Sequence, residues 1–207
     1  MYIPAAFRVD NPAKLAAFIR QYSFATLITH DDQAPFASHV PMLLRPEGGP
    51  HGTLFAHVAR ANPQWQHFAS GQEALAIFHG PHTYISPSWY QTEPAVPTWN
   101  YATVHAYGVP TVFEDPEKAA TLLRETIALY EASYERRWPG ILPEDYFAKM
   151  LRGIVAFEMP IMRLEGKFKL GQNRAEADVQ SVFSTLSQAP DADSRALAAL
   201  MRAEGYV

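Results

Sequence analysis

Three times along this 207-residue chain an Asn or Asp stands directly before a proline at the head of an apolar-periodic run: Asn11-Pro12, Asn62-Pro63 and Asp115-Pro116. Such a side chain satisfies free N–H groups of a first helical turn, and proline fits the first helical position because that turn needs no N–H from it. The pairs therefore mark three helix starts. Between and after them lie runs rich in β-formers, namely Phe24 to Thr29, Pro35 to Leu44, Gly52 to Val58, Ala74 to Phe78, Ala102 to Phe113 and Ile154 to Leu164. Six strands with helices between and after them, but no steady βαβ alternation, predict an antiparallel sheet or barrel with peripheral helices.

The first cap opens a helix over about 12–22, with Leu15, Phe18 and Ile19 at helical spacing. Asp31-Asp32 supplies the turn of a hairpin between the first two strands. The second cap opens a short helix carrying Trp65 and Phe68. The third opens a helix reaching towards Trp138, with Leu122, Leu123, Ile127 and Tyr130 on its apolar side. Pro143 to Arg152 reads as a helix stopped by Gly153. Asn173 with Glu176 reads as a capping box ahead of Val179, Val182, Phe183 and Leu186. A last helix is expected over about 193–204. Gly108 and Pro110 mark a bulge or edge in the Ala102–Phe113 strand.

Gly80 to Tyr101 reads as a stiff loop holding four prolines and five Trp and Tyr residues among Ser, Thr, His and Asn. Such a loop suits a planar, polar-edged ligand or a partner subunit, or it closes one end of a barrel.

Composition excludes several chemistries. There is no cysteine, which removes disulfides, thiolate nucleophiles, iron–sulfur clusters and Cys-based zinc sites, and which fits a cytoplasmic protein. No apolar run approaches the roughly 20 residues that span a bilayer. The N-terminus shows no basic segment followed by an apolar stretch, so no secretory signal is expected. Glycine-rich phosphate loops, His-Glu-x-x-His and Gly-x-Ser-x-Gly are missing from the sequence. His79 and His82 flank Gly80-Pro81 with no carboxylate close by, so no metal is expected there. The net charge of −4 leaves no global footprint for nucleic acid. Lys149 to Arg174, however, holds six basic residues against two acidic ones, which suits a phosphate, nucleic acid or simply a solvated face.

Two segments can hold an anion or a polar ring. Strand Gly52–Val58 runs through His57 into Arg60, with the Asn62-Pro63 helix start immediately after, which offers a monophosphate seat or only a surface charge beside a cap. Lys167, Lys169, Gln172 and Asn173 place two cations and two amides within seven residues. The amides match the donor–acceptor edge of a pyrimidine-like ring; the other reading is a basic turn leading into a capped helix.

Together these segments resemble the PaiB-type FMN-binding negative transcriptional regulators. The matching pieces are Met1-Tyr2-Ile3-Pro4 with Phe7, Ser38-His39-Val40-Pro41, His57 to Trp65, Gly80-Pro81-His82 through Trp89-Tyr90, Pro97 to Tyr101, and Leu164 to Leu170 with Gln172-Asn173-Arg174. Gly171 departs from the Ser expected there. The resemblance implies a split β-barrel related to pyridoxamine-phosphate oxidase and flavin reductases, assembled as a homodimer with FMN bound non-covalently between subunits. It implies that Arg60, Asn62 and His57 serve the phosphate, and that Ser38, His39, Val40 and Pro41 lie along the ring. Trp99, Asn100 and Tyr101 would wall the ring from the other subunit, with Lys169 and Gln172 near its polar edge. Residues 1–174 would form the flavin-binding domain with inserted helices, and 175–207 a helical appendage. No helix-turn-helix or basic recognition helix accompanies the family's regulatory label, so direct DNA contact stays open. So does the alternative of an FMN-dependent oxidoreductase; no set of catalytic residues is recognisable.

Overall fold

The computed structural model describes residues 1–31 and 33–207. In chain order the elements are β1 (Arg8–Val9), α1 (Pro12–Gln21), β2 (Phe24–His30), β3 (Pro35–Pro41), β4 (Leu43–Arg45) and β5 (Thr53–Ala59). There follow a 3₁₀ helix (Pro63–Ser70), β6 (Ala74–Ile85), β7 (Thr98–Gly108), β8 (Thr111–Val112), α2 (Pro116–Glu131) and α3 (Glu144–Arg152). The chain ends with β9 (Ile154–Pro160), β10 (Arg163–Lys169), α4 (Glu176–Ser187) and α5 (Ala192–Ala203). It divides into two units. Met1–Phe18, Phe78–His105 and Glu165–Val207 form the first; Ile19–Ile77 and Ala106–Leu164 form the second.

In the second unit β2 pairs antiparallel with β3 from Phe24↔Pro41 to His30↔Pro35, and with β6 at Thr26↔Ile77 to Ile28↔Leu75. A separate four-stranded sheet runs β4-β5-β9-β8. The expected second strand of the hairpin thus breaks at Met42. Its backbone N–H goes to Ser23 O instead of a ladder partner, and β4 leaves to pair with β5. The hairpin turn is held by Asp31, whose carboxylate accepts from Gln33 N and Ala34 N; Asp32 lies outside the described residues. The Ala102–Phe113 strand breaks in the same manner, at Val109-Pro110, and Thr111–Val112 pairs with β9 as β8. Phe55, Leu122 and Ala156 form a buried cluster, with Leu43, Phe113 and Ala119 packed against it. Each fully buried side chain of this size contributes roughly 1.5–3 kcal/mol.

In the first unit β1 pairs antiparallel with β10, and the strand order is β1-β10-β7-β6. Phe18 meets the Phe168 ring at 5.0 Å. Helices α4 and α5 pack together, and the Thr83 and Ser194 hydroxyls hydrogen-bond at 3.1 Å.

The stiff loop expected over Gly80–Tyr101 is strand at both ends, and only the stretch between them is loop. β6 continues to Ile85 and β7 begins at Thr98. The β-formers Thr83, Tyr84 and Ile85 carry β6 through Pro81, and the β2 ladder ends at Ile77, so proline's missing N–H costs no bond on that side. Lys167 and Lys169 likewise lie on β10, not on a turn. The capping box at Asn173 does not form. Arg174 N closes a turn on Gly171 O, which sits at φ +95°, and α4 starts after Ala175 without a side-chain cap.

Candidate functional site

In the second unit the β5–3₁₀ junction is built from its own polar side chains. Asn62 Oδ1 accepts from Gln64 N at 3.0 Å, which caps the turn, and its Nδ2 donates to the Ser38 hydroxyl at 2.8 Å. The cap therefore fixes the amide, and the amide fixes the serine on β3. Strand alternation splits Ser38–Pro41 between two faces. Val40 is buried, while His39 is exposed, shares a hydrogen bond of 3.1 Å with Thr26 Oγ1 and stacks on Phe24 at 6.4 Å. Of that run, Ser38 alone hydrogen-bonds Asn62.

Arg60 follows β5 but turns away from this pair. Its Nε and Nη2 donate to Arg152 O at 2.8 Å and Ile154 O at 2.9 Å, and Trp65 Nε1 donates to Arg60 O at 3.1 Å. Among the described residues Nη1 makes no hydrogen bond. His57, half-buried on β5, has its pKa pushed below the ordinary imidazole value by burial, so it is neutral at pH 7 and offers a phosphate no charge.

Gln64 was not singled out as a site residue, yet it is the most constrained polar side chain here. It is fully buried, and Nε2 donates to Leu27 O at 3.0 Å, Thr29 Oγ1 at 3.2 Å and Phe36 O at 3.2 Å. Its Oε1 is, among the described residues, a buried acceptor with no donor. Its place two residues after a cap is the one sequence signal that could have marked it.

The first unit gathers cations and aromatic rings. Lys167 is buried; its Nζ donates to Tyr2 O at 3.1 Å and lies 5.6 Å and 5.1 Å from the Tyr2 and Tyr101 ring centroids. Lys169 Nζ donates to Thr98 Oγ1 and, at 2.8 Å, to Trp99 O. Burial, then the charges of Lys167 and Arg174, lower the Lys169 pKa. Arg174 lies over the Tyr90 ring at 4.3 Å. Among the described residues none of these three cations has a carboxylate in ion-pair contact. The arrangement attracts an anion, and three π faces already help to hold the charge.

Trp99 is 53% exposed, with His82 and Tyr84 rings 6.3 Å and 6.2 Å away. Tyr101 shares its face of β7, whereas Asn100 points to the opposite, buried face. Gln172 spends its amide on the chain end of β10. Nε2 donates to Phe168 O at 2.5 Å and Oε1 accepts from Leu170 N at 2.7 Å. The structure thus joins Lys169 with Trp99, and Lys167 with Tyr101, but does not bring Asn100 or Gln172 onto them by any hydrogen bond.

Among the described residues no group of three or more His, Cys, Asp or Glu could hold a metal ion, and no helix is long and apolar enough to cross a membrane.

Residues 1–163 match the family model described as "Putative FMN-binding domain". The chain is 34% identical over 207 residues to the protease synthase and sporulation protein PAI 2 of Bacillus subtilis, covering 97% of this chain and 96% of that protein. Its fold is similar to that of the flavocytochrome Anf3 from Azotobacter vinelandii, with TM-score 0.62, 14% identity, and coverage of 80% of this chain and 70% of that one. It is also similar to a FAD- and heme-binding protein from Mycobacterium smegmatis, with TM-score 0.60, 16% identity, and coverage of 84% and 79%. These likenesses agree with the antiparallel class expected from the strand order and with the split barrel that the family resemblance implies.

Proposed function

The chain belongs to the PaiB-type family of FMN-binding proteins, and from that premise we propose that it holds FMN non-covalently at the interface of a cytoplasmic homodimer and acts as a regulator. FMN is its cofactor; when bound, it supplies one- and two-electron redox chemistry that no side chain here possesses. The observation that carries the reading is the family match over most of the chain, and the residues fit the group. Lys167, Lys169 and Arg174 form a cationic set short of counter-charge, Trp99 and Tyr101 give ring faces on one side of a strand, and Gln64 Oε1 awaits a donor.

In this reading the Ser38 hydroxyl, the Asn62 amide and the free Nη1 of Arg60 take the phosphate, and His57 lines the seat as a neutral group. His39 and Pro41 lie along the ring on the opposite face of β3 from Ser38, so the flavin passes the free edge of this outermost strand, with Val40 packed behind. Trp99 and Tyr101 are contributed by a second copy, with Lys169 near the polar edge. Asn100 and Gln172 shape the strand ends that position them. Residues 1–174 carry the flavin, and 175–207 are a helical appendage.

The regulatory part rests on the likeness to a protein named for protease synthesis and sporulation. An oxidoreductase is the second reading, favoured by the neutral, half-buried His57, a base by type. Two assays separate them on the FMN-loaded protein. A regulator gives DNA binding that weakens steeply with salt as phosphate contacts require, without turnover. Rapid anaerobic oxidation of NAD(P)H with no DNA affinity overturns it in favour of the enzyme.

A further inference from the structure

The second unit holds a cleft that the flavin reading touches only through Arg60. Its volume is about 480 Å³, within the range of roughly 300–1,000 Å³ typical of small-molecule sites. Buried Val155 and Ala156 of β9 form part of its lining. Half-buried Trp65 and Phe113 add aromatic surface, and Ala119 of α2 with Ala148 and Leu151 of α3 contribute the rest of the apolar wall.

Three carbonyls along the rim already have donors. β9 carries β8 only at Phe157 and Glu158, and Phe113 N takes Ala156 O. Further along, the Arg60 guanidinium stands in for a strand by binding the carbonyls of Arg152 and Ile154. An apolar body can therefore enter without leaving those three carbonyls unpaired.

The charges select the ligand. Arg152 lines the cleft, and its side chain has no hydrogen bond or ion pair among the described residues; Arg60 lines it too, its Nε and Nη2 held by the rim carbonyls while its charge remains. Glu114 also lines the cleft, so a second anionic group on a ligand would meet repulsion. Two guanidinium charges against one carboxylate leave the lining one positive charge in excess, and with two aromatic walls that fits a monoanion on a flat apolar body.

We propose that this cleft binds a small aromatic monocarboxylate, its ring against Trp65 and Phe113 and its carboxylate on Arg152. The probes are 2-naphthoate and its neutral amide, 2-naphthamide, titrated calorimetrically into the flavin-free full chain. Naphthoate binds, and the amide binds at least about tenfold more weakly because the charge-assisted pair is gone. Arg152→Gln lowers naphthoate affinity to that of the amide. Ala148→Trp, at an exposed helix position, fills the cleft and abolishes binding, and Ala119→Trp does so from the α2 side. FMN retention, measured on the same preparations, is unchanged in all three variants, so failure of the flavin reading is scored separately. Naphthoate binding absent up to about 10 mM, equal binding of the amide, or binding that survives in folded Ala148→Trp overturns the proposal.

Discussion

At the scale of single residues, the site contrasts side chains that spend their polarity locally with side chains that keep it. Gln172 closes the end of its own strand, whereas Arg60 holds one N–H pair in reserve. If that pair meets the phosphate and binding buries the contact, Arg60→Ala weakens FMN binding by about 2–4 kcal/mol, read as the shift in a fluorescence titration. His57 has its pKa lowered by burial, so folding favours the neutral ring. Its contribution is complete above the unfolded value of about 6.5 and is lost as pH falls through the folded value. His57→Gln therefore flattens the fall in melting temperature as pH drops below about 6.5; an unchanged slope contradicts this. Asp178 works in the same direction at lower pH. The Thr92 hydroxyl and then the Gln91 and Thr92 N–H groups hold its carboxylate below the usual range. The stability it adds is present above about pH 3.9 and lost as pH falls through its folded value. Asp178→Asn removes that acid dependence, and Asp178→Ala, which takes away the acceptor as well, frees the Gln91–Thr92 segment, seen as faster amide exchange there.

At the scale of elements, the helix starts were the most legible part of the sequence, because a cap is a local bond. Asn11 accepts from Ala13 N at 3.0 Å, Asn62 from Gln64 N at 3.0 Å and Asp115 from Glu117 N at 2.9 Å, as their position before proline implies. Strand limits were less legible, since they depend on partners distant in sequence. Pro81 suggested a loop until the end of the β2 ladder removed its cost, and Met42 gave no sign that its strand would change sheets. The site divided along the same line. The Asn62 cap follows from spacing alone, but the carbonyls that capture Arg60 belong to residues about ninety positions away. Gly108 is an element-level constraint of this kind. A Cβ there would sit 2.1 Å from Pro160 O, a backbone atom that cannot rotate aside. Gly108→Ala therefore destabilises by on the order of 1–3 kcal/mol or more, measured by denaturant unfolding. Gly71→Ala, with φ +68° but nothing within 4 Å, costs less.

At the scale of the whole molecule, exposed aromatic surface argues for self-association. Trp99 is 53% exposed and Phe24 67%, each on a strand face rather than a loop tip. Sedimentation at micromolar concentration gives a dimer, and Trp99→Ala shifts it towards monomer; a stable wild-type monomer contradicts the interface. The family relationship and the cation-rich aromatic face meet in one claim, that this chain holds a flavin by its phosphate as well as its ring. The measurement that tests it most directly is the visible spectrum of the purified protein after incubation with FMN, or in parallel with riboflavin, followed by desalting. The account predicts a retained flavin spectrum near one FMN per chain, a melting temperature raised by FMN, and little riboflavin carried through. A colourless protein whose melting is indifferent to FMN would contradict it.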